Sequence, residues 1–459
     1  IMNNLSSLQK KDLKYIFHPC SQMKDYEELP PIIIKKAEGI YFEDENGKKY
    51  MDCVSSWWVN LFGHCNKRIN EAVKEQIENL EHILFVNFSH KPAIELAERL
   101  CKLTPKGIEK FLFADNGSSS IEMALKLSFQ YHVQTGYTDK KRFISLTDGY
   151  HGETLGALGV GDIDIFTKTY YPLIKEGIKA KSPDCFRCPF HKNRENCSAE
   201  CFEDMEKIIE KNHREISAVI IEPVVQGAGG MKIYSPVYLK KLRKITEKYN
   251  INFIADEIAV GFGRTGKMFA VEHGEISPDI MCMAKGISAG YYPMSVIGIT
   301  NKIYEVFYED YLKGKSFLHS HTYSGNPIGC RIAVEVLKIF EEEKILEVIE
   351  KKGEYLRKKV LEIFNGCEYI GEYRQIGFIG ALEFLKNKNT KEDFPKEYRA
   401  GYEVYKIGLK NGVILRPLGN VIYFMPPYII TEKEIDIMVE TCRKSVDEYV
   451  ERLKKEGKL

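Results

Sequence analysis

The middle of the chain alternates between two patterns of apolar residues. Apolar positions recur at helical spacing in segments such as residues 69–80 and 94–103, which predicts helices with one buried face. Short continuous apolar runs, for example Phe111-Leu112-Phe113-Ala114, lie between such segments and predict buried strands. From about residue 66 to about residue 330, this alternation indicates an α/β fold in which a mostly parallel sheet carries helices on both faces.

The two ends of the chain follow a different pattern. The first 60 residues or so predict an extended segment followed by a hairpin that turns at Asn46-Gly47. After residue 330, the pattern predicts helices over residues 332–340, 345–364 and 402–409, a strand near residues 378–384 and a last helix from residue 433. We therefore expect a large domain over residues 66–330 and a smaller α+β domain, formed by residues 331–459 and the N-terminal segment, residues 1–65.

The charge balance and the lack of long apolar runs exclude some partners. The chain of 459 residues has 66 basic and 65 acidic residues, which argues against a nucleic acid or a membrane surface as its main partner. No run approaches the roughly 18 apolar residues of a membrane span. The start of the chain, residues 1–5, lacks the apolar core of a signal peptide. We expect a cytoplasmic protein.

Two polar residues follow buried strands where an open α/β sheet binds its ligand. Asp256 ends the apolar run that begins at Phe253, and Lys285 follows the run that begins at Ile280. A lysine there can form a Schiff base with pyridoxal phosphate (PLP), while a buried aspartate keeps the pyridine nitrogen protonated. The alternatives are a helix cap or an ion pair for Asp256 and a solvated side chain for Lys285.

Two turns upstream add features that suit the same cofactor. Residues 115–120 connect a buried strand to a helical pattern, and Gly117 and Ser118 at this helix start could bind a phosphate. An ordinary serine-capped helix is the alternative. Tyr150 lies in a glycine-rich turn after the strand over residues 143–146, where it could stack on a flat cofactor or simply pack against the core.

Longer motifs resemble those of one enzyme family. The sequences EPVVQGAGG at residues 222–230, ADEIAVGFGRTG at 255–266 and HSHTYSGNP at 319–327 resemble class III aminotransferases, which are fold-type I PLP enzymes. Three further stretches, at residues 16–19, 55–60 and 415–423, are similar to the 8-amino-7-oxononanoate aminotransferases of biotin synthesis. The resemblance covers nearly the whole chain.

The resemblance implies a role for each cofactor residue. Lys285 corresponds to the lysine that forms the Schiff base and moves the proton, and Asp256 to the aspartate that pairs with the pyridine nitrogen. Gly117 and Ser118 correspond to phosphate ligands. Tyr150 is implied to stack on the ring and touch substrate, acting as a third catalytic residue, and Ile258 is implied to pack against the opposite face of the ring.

The same resemblance implies a homodimer with shared active sites. In this family, the threonine that matches Thr322 reaches the phosphate of the neighbouring subunit's cofactor, and His321 precedes it. A helix-capping role for Thr322, shortly before Asn326-Pro327, is the alternative.

The implied substrates are a small keto acid and an amino donor. Arg416 lies in an apolar segment where an unpaired buried guanidinium would be costly, and the resemblance makes its anion the far carboxylate of the oxononanoate chain. An internal salt bridge is the alternative. Trp57 is implied to be a wall of the acceptor pocket, with Trp58 as a weaker candidate, and core packing is the alternative for both. The remaining predicted substrate contacts are Tyr150, Ser320, Tyr423 and Cys20.

Two departures from the family pattern concern the amino donor. Ala228 occupies the position of an acidic residue in many glutamate-using class III enzymes, so glutamate is not expected. Cys20 replaces a tyrosine that is common in relatives that use S-adenosylmethionine, which favours lysine slightly over S-adenosylmethionine. The expected function is amination of 8-amino-7-oxononanoate to 7,8-diaminononanoate. The alternatives are another diamine or ω-amino-acid aminotransferase and, from a different class, a metal-dependent regulatory or binding protein.

That last alternative depends on four clustered cysteines. Cys185, Cys188, Cys197 and Cys201 have a spacing typical of metal ligands and lie in a polar, loop-like segment, which predicts a structural zinc or iron-sulfur site. The alternative is a surface insertion with free thiols. The remaining cysteines are scattered singly and are expected to behave as small core residues.

Overall fold

The computed structural model describes residues 5–459. Its strands are β1 (Ile34–Glu38), β2 (Tyr41–Asp44), β3 (Lys49–Asp52), β4 (Ile108–Ala114), β5 (Arg142–Leu146), β6 (Ile178–Ala180), β7 (Ile216–Ile221), β8 (Val225–Gln226), β9 (Lys232–Ile233), β10 (Asn252–Asp256), β11 (Ile280–Met283), β12 (Ser295–Thr300), β13 (Ile370–Ile376), β14 (Ile379–Phe384), β15 (Val413–Ile414) and β16 (Val421–Phe424). Its α-helices are α1 (Ser7–Tyr15), α2 (Ser55–Trp58), α3 (Lys67–Asn79), α4 (Lys91–Leu103), α5 (Gly117–Gln134), α6 (Leu155–Val160), α7 (Asp164–Thr167), α8 (Glu203–Asn212), α9 (Val237–Lys248), α10 (Asn301–Phe307), α11 (Pro327–Glu342), α12 (Ile345–Ile363), α13 (Ala400–Lys410) and α14 (Glu432–Lys455).

A seven-stranded sheet forms the centre of the molecule, in the order β4-β12-β11-β10-β7-β5-β6. The strands from β11 to β6 pair in parallel, whereas β12 is antiparallel to both β11 and β4. The predicted mostly parallel sheet is therefore confirmed. Asp256 is the last residue of β10 and pairs with Cys282 of β11, so the loops that follow these two strands leave the same edge of the sheet.

Both faces of this sheet are buried, and successive side chains of a strand point to opposite faces, so each strand contributes apolar residues to both. In β10, Ile254 packs into one apolar cluster together with residues of α5 such as Ile121 and Leu127. Phe253 and Ala255 belong to the cluster on the other face. The strand pattern thus follows from burial on both sides by helices, as the continuous apolar runs predicted.

The two ends of the chain meet in a second sheet. Its order is β1-β2-β3-β15, and β15 joins β3 in parallel through the pairs Val413 with Met51 and Ile414 with Asp52. The hairpin predicted around Asn46-Gly47 is confirmed by the antiparallel pairing of β2 with β3. The predicted helices and strand beyond residue 330 correspond to α11, α12, β14, α13 and α14. The division into domains at residues 65 and 330 stays a prediction.

No helix of residues 5–459 is both long enough and apolar enough to span a bilayer. The prediction about a signal peptide depends largely on residues 1–4, which lie outside the described residues.

Candidate active site

A cavity of about 1800 Å³ opens at the carboxyl edge of the central sheet and brings most of the predicted site residues together. It is lined by Cys20, Trp57, Gly117, Ser118, Tyr150, Asp256, Ile258, Lys285, Arg416 and Tyr423, among others. The lining does not include Ser320, His321, Thr322 or the four clustered cysteines. Residues distant in sequence therefore form one site, with contributions from the central sheet and from both ends of the chain.

Lys285 follows β11 and projects into the cavity. It has a φ of 47°, a left-handed conformation that is uncommon for a residue other than glycine and that is often found at functional sites. Its Nζ lies 5.0 Å from the centre of the Trp58 ring. Burial lowers the pKa of Lys285, and the carboxylates of Asp256 and Glu222 oppose this change. A lysine with a lowered pKa has a larger neutral fraction that can attack an aldehyde.

Asp256 is fixed in place by two contacts on its carboxylate. Its Oδ2 lies 2.7 Å from Nδ1 of His151, and its Oδ1 accepts a hydrogen bond of 3.1 Å from the backbone N–H of Ile258. Both Asp256 and His151 are buried. A buried carboxylate held in one orientation is suited to pair with a protonated pyridine nitrogen.

The start of α5 has the geometry of a phosphate site. Asn116 caps the helix by accepting a hydrogen bond of 2.9 Å from the backbone N–H of Ser119, and the N–H groups of a first helical turn point away from the helix. A Cβ at Gly117 would lie 3.0 Å from Cγ2 of Ile258. A Cβ at Gly152, whose φ is 121°, would lie 2.5 Å from the Cβ of Ser118. Glycine at these positions keeps the helix start open.

Tyr150 belongs to a small polar group at the cavity wall. Its hydroxyl donates a hydrogen bond of 2.9 Å to Oε1 of Glu153, and the Sγ of Cys20 lies 3.8 Å from the same oxygen. The Tyr150 ring packs 5.3 Å from that of Phe166. Burial, followed by the hydrogen bond to Glu153, raises the pKa of Tyr150, so the phenol stays protonated and Glu153 stays anchored.

A strained turn presents the two tryptophans. Residues 55–58 all have positive φ, between 47° and 73°, and left-handed turns cost roughly 1–2 kcal/mol per residue for L-amino acids. Asp52 holds this turn by accepting hydrogen bonds from the backbone N–H and the hydroxyl of Ser56, at 2.9 and 2.7 Å. The Ser55 hydroxyl donates a bond of 2.7 Å to the carbonyl of Met425.

The two tryptophans have different surroundings. Trp57 is 48% exposed and stacks under Arg416, whose Cζ lies 4.9 Å from its ring centre. Trp58 is buried and donates a hydrogen bond of 2.9 Å from Nε1 to the hydroxyl of Tyr423. Tyr423 is only 1% exposed, yet it lines the cavity, and its hydroxyl orients Trp58.

Arg416 differs from the buried group expected from its apolar neighbours. Its side chain is exposed to the cavity, whereas the preceding Leu415 is buried. Within residues 5–459, its guanidinium forms no salt bridge. The internal salt bridge is therefore absent from the described part of the chain, and the fork of Arg416 faces the space where a ligand would bind.

Ser320, His321 and Thr322 lie outside the cavity of a single chain. Ser320 and Thr322 are exposed. Nδ1 of His321 lies 3.3 Å from Oδ2 of Asp115, a residue that does line the cavity. In one chain, this segment therefore borders the phosphate end of the site without entering it.

The structure does not support the predicted metal site in the four-cysteine segment. Its thiols are free, and no group of three or more His, Cys, Asp or Glu residues within residues 5–459 is arranged to hold a metal ion. Burial raises the pKa of Cys185 to about 12 and that of Cys201 to about 11, which favours protonated thiols. Ion pairs hold this segment to the rest of the chain, such as that of Arg187 with Glu383. The zinc or iron-sulfur prediction is unsupported, and the free-thiol alternative fits.

Three residues of the site were not assigned a role from the sequence. His151 orients Asp256, Glu153 binds the Tyr150 hydroxyl, and Glu222 lines the cavity near Lys285. All three occur in motifs that were recognised, because His151 and Glu153 follow Tyr150 closely and Glu222 begins the EPVVQGAGG sequence. Their positions inside these motifs are the signal that could have identified them.

Known proteins show similarity over nearly the whole chain. Residues 22–446 match the family described as Aminotransferase class-III. The chain is 44% identical over 451 residues to the adenosylmethionine-8-amino-7-oxononanoate aminotransferase of Helicobacter pylori. The matched region covers 97% of this chain and 99% of that protein. The chain thus belongs to the class III aminotransferase family. It is a PLP-dependent transaminase, and its substrates are small molecules.

Two solved structures are similar in fold. The crystal structure of adenosylmethionine-8-amino-7-oxononanoate aminotransferase from Methanocaldococcus jannaschii has a TM-score of 0.91 at 38% identity, over 96% of this chain and 98% of that one. The omega transaminase from Pseudomonas jessenii in complex with PMP has a TM-score of 0.93 at 31% identity, over 98% and 99% of the two chains. Both comparisons confirm the predicted fold-type I architecture.

Proposed function

We propose that the protein aminates 8-amino-7-oxononanoate to 7,8-diaminononanoate, a step of biotin synthesis. The observation that carries this proposal is the presence of two opposite charges in one cavity. This keto acid has an ammonium group next to its ketone and a carboxylate at the far end of an apolar chain. Glu153, beside Tyr150, suits the ammonium group, and Arg416 suits the carboxylate.

The surroundings of Cys20 support this placement of charges. Burial and then the carboxylate of Glu153 raise the pKa of Cys20, and the guanidinium of Arg416 opposes this change. Both charges therefore act on the same part of the cavity. Apolar and aromatic side chains such as Trp57 and Leu155 also line the cavity, as the methylene chain of the substrate requires.

The residues present fit PLP. When bound, PLP supplies an aldehyde and an electron-accepting ring. Lys285 would bind the aldehyde carbon and move the proton with its Nζ, and Asp256 would hold the proton of the ring nitrogen. The backbone N–H groups of Gly117 and Ser118 would hold the phosphate.

The proposed domain division places this site between two bodies. Asp256 and Lys285 belong to the proposed large domain, residues 66–330. Cys20, Trp57 and Arg416 belong to the proposed small domain, residues 1–65 and 331–459. Ligand sites often lie between domains, and the parallel pairing of β3 with β15 supports grouping the two ends of the chain.

A second candidate is an ω-amino-acid or diamine aminotransferase. The TM-score of 0.93 with the Pseudomonas jessenii omega transaminase favours it. The higher identity with proteins named for 8-amino-7-oxononanoate favours the first candidate. Both would keep every cofactor residue, so the acceptor must be tested directly.

The amino donor can be identified by half-reactions. The names of the relatives favour S-adenosylmethionine as the donor. Cys20, in place of a tyrosine, favours lysine. Glu153 suits a cationic group of either donor. We propose S-adenosylmethionine. When the PLP form is mixed with each donor alone, S-adenosylmethionine should convert the cofactor to pyridoxamine phosphate, as followed by absorbance. The pyridoxamine form should then aminate 8-amino-7-oxononanoate.

Three outcomes of this experiment differ in meaning. Conversion by lysine alone would contradict the donor proposal and leave the acceptor intact. A pyridoxamine form that aminates simple ω-keto acids but not 8-amino-7-oxononanoate would contradict the proposed function. No conversion by any primary amine would count against both candidates.

We propose that the protein acts as a homodimer. Large apolar side chains are exposed on two adjacent segments. Residues 82–88 include Val86 and Phe88, and residues 311–323 include Tyr311 and Leu318. The segments touch where the His82 ring lies 5.2 Å from that of Tyr323. Such patches mark interfaces, and a partner seated here would bring Thr322 close to a second active site.

Sedimentation equilibrium of the purified protein should give twice the mass of the chain. Adding charge to this surface should shift the mass towards that of a monomer, and Leu318→Glu is the sharpest such change because Leu318 is 87% exposed in one chain. Ile437→Glu, on α14 and 41% exposed, serves as the control and should leave the dimer intact. A wild-type monomer at micromolar concentration would contradict the proposal.

A further inference from the structure

Glu222 holds two loops of the site through its carboxylate. Its Oε1 accepts a hydrogen bond of 3.1 Å from the backbone N–H of Tyr150, and its Oε2 accepts one of 2.9 Å from the backbone N–H of Gly227. The side chain is buried and lines the cavity. Within residues 5–459, no basic side chain forms a salt bridge with it, so the two backbone groups are its direct partners.

These two N–H groups belong to segments that form different walls of the cavity. The first lies in the turn that carries Tyr150 and also His151, the residue that contacts Asp256. The second belongs to Gly227, where a Cβ would lie only 3.1 Å from Cζ3 of Trp58. One carboxylate therefore sets the position of the Tyr150 turn and of the backbone that packs on Trp58.

The charge of Glu222 also acts on Lys285. The groups that face its carboxyl are Asp256 and Lys285, while Tyr234 donates a hydrogen bond of 2.6 Å to its backbone carbonyl. Burial and then the charge of Asp256 raise the pKa of Glu222, whereas the hydrogen bonds from the backbone N–H groups of Gly227 and Tyr150, and then Lys285, favour its ionised form. In return, the carboxylate of Glu222 raises the pKa of Lys285.

We propose that Glu222 is a positioning residue of the transaminase, which fixes the Tyr150 turn and the Gly227 backbone and, in its ionised form, places a negative charge beside Lys285. A glutamine in its place has one oxygen and one NH₂ group. The NH₂ group would face one of the two backbone N–H donors, so one bond is lost and a repulsion replaces it. The negative charge of Glu222 beside Lys285 would be lost at the same time.

The test compares Glu222→Gln with a matched control in the holoenzyme. Glu257 is also a buried glutamate that accepts two backbone hydrogen bonds, of 2.9 and 2.8 Å from Ala270 and Val271, but it does not line the cavity. Glu257→Gln therefore makes the same chemical change at similar burial, outside the site. Any general effect of replacing a buried glutamate should occur in both variants.

Two readouts are expected to separate the variants. The absorbance of PLP bound to Lys285, titrated with pH, should have its midpoint at lower pH in Glu222→Gln than in the wild type, because removing a nearby negative charge favours loss of a proton. In Glu257→Gln the midpoint should be unchanged. The kcat/KM of Glu222→Gln should fall at least about tenfold, which is the loss of one charge-assisted hydrogen bond.

An unshifted midpoint together with a kcat/KM within about threefold of the wild type would overturn the proposal. If Glu222→Gln does not fold, Glu222→Asp decides, because it keeps the charge and shortens the reach. Its midpoint should stay close to that of the wild type while its kcat/KM falls. A wild-type kcat/KM in Glu222→Asp would overturn the positioning role. The absorbance titration requires no substrate, so it is independent of which acceptor the enzyme uses.

Discussion

Lys285→Ala should abolish the visible absorbance of lysine-bound PLP and lower transamination by about 10²- to 10⁴-fold or more, which is the usual contribution of one positioned proton-transfer group. The physical reason is the composition of the cavity. Lys285 is the lysine among its lining residues, and the neighbouring ionisable groups there are carboxylates, tyrosines, a histidine, a thiol and arginines. None of these can replace an amine that binds an aldehyde.

Lys179 provides the control for this experiment. Burial lowers its pKa to about 8, so it is also a lysine that loses its proton easily. Its Nζ donates hydrogen bonds of 3.0 Å to the Ser145 hydroxyl and 3.1 Å to the carbonyl of Gly159, away from the cavity. Lys179→Ala should keep the absorbance band, at some cost in stability. A Lys285→Ala enzyme that keeps both band and turnover would assign the chemistry to another residue.

The cofactor half of the site could be predicted from the sequence because it depends on strand ends. Asp256 and Lys285 follow buried strands, and parallel strands deliver such residues to one edge of a sheet. The pairing of Asp256 with Cys282 confirms that the two strands are neighbours. The glycine at position 117 was likewise recognisable, since a helix start that binds phosphate must keep its backbone accessible.

The substrate half could not be predicted to the same extent, because it depends on contacts between distant parts of the chain. The left-handed turn at residues 55–58 separates Trp57 from Trp58, and only the fold shows that Tyr423 bonds to Trp58. No periodicity in the sequence predicts such a turn, since each residue alone disfavours it. The structure adds a hydrogen bond from Trp58 to Tyr423, while Tyr423 also lines the cavity and its predicted substrate contact stays a prediction.

The position of Arg416 is a further case in which the fold changes the interpretation. Apolar neighbours suggested a buried guanidinium, but the side chain leaves the core and stacks on Trp57 with its fork in the cavity. Stacking restricts the side chain without using its N–H donors. Its five donors thus stay available for an anion, and a planar carboxylate is the group that matches this geometry.

Arg416→Ala should raise the acceptor KM strongly. The bound acceptor would cover Arg416, so the expected cost in kcat/KM is roughly 2 to 5 kcal/mol, the usual loss when one partner of a buried charge pair is removed. Arg399 is the matched control, since it lines the same cavity but already pairs with Asp25 at 2.7 Å. Arg399→Ala should therefore change the acceptor KM little. Steady-state kinetics with 8-amino-7-oxononanoate and with an acceptor lacking the carboxylate complete the test, because Arg416→Ala should affect only the first. Equal losses for both acceptors would show that Arg416 supports the cavity wall and that the carboxylate binds elsewhere.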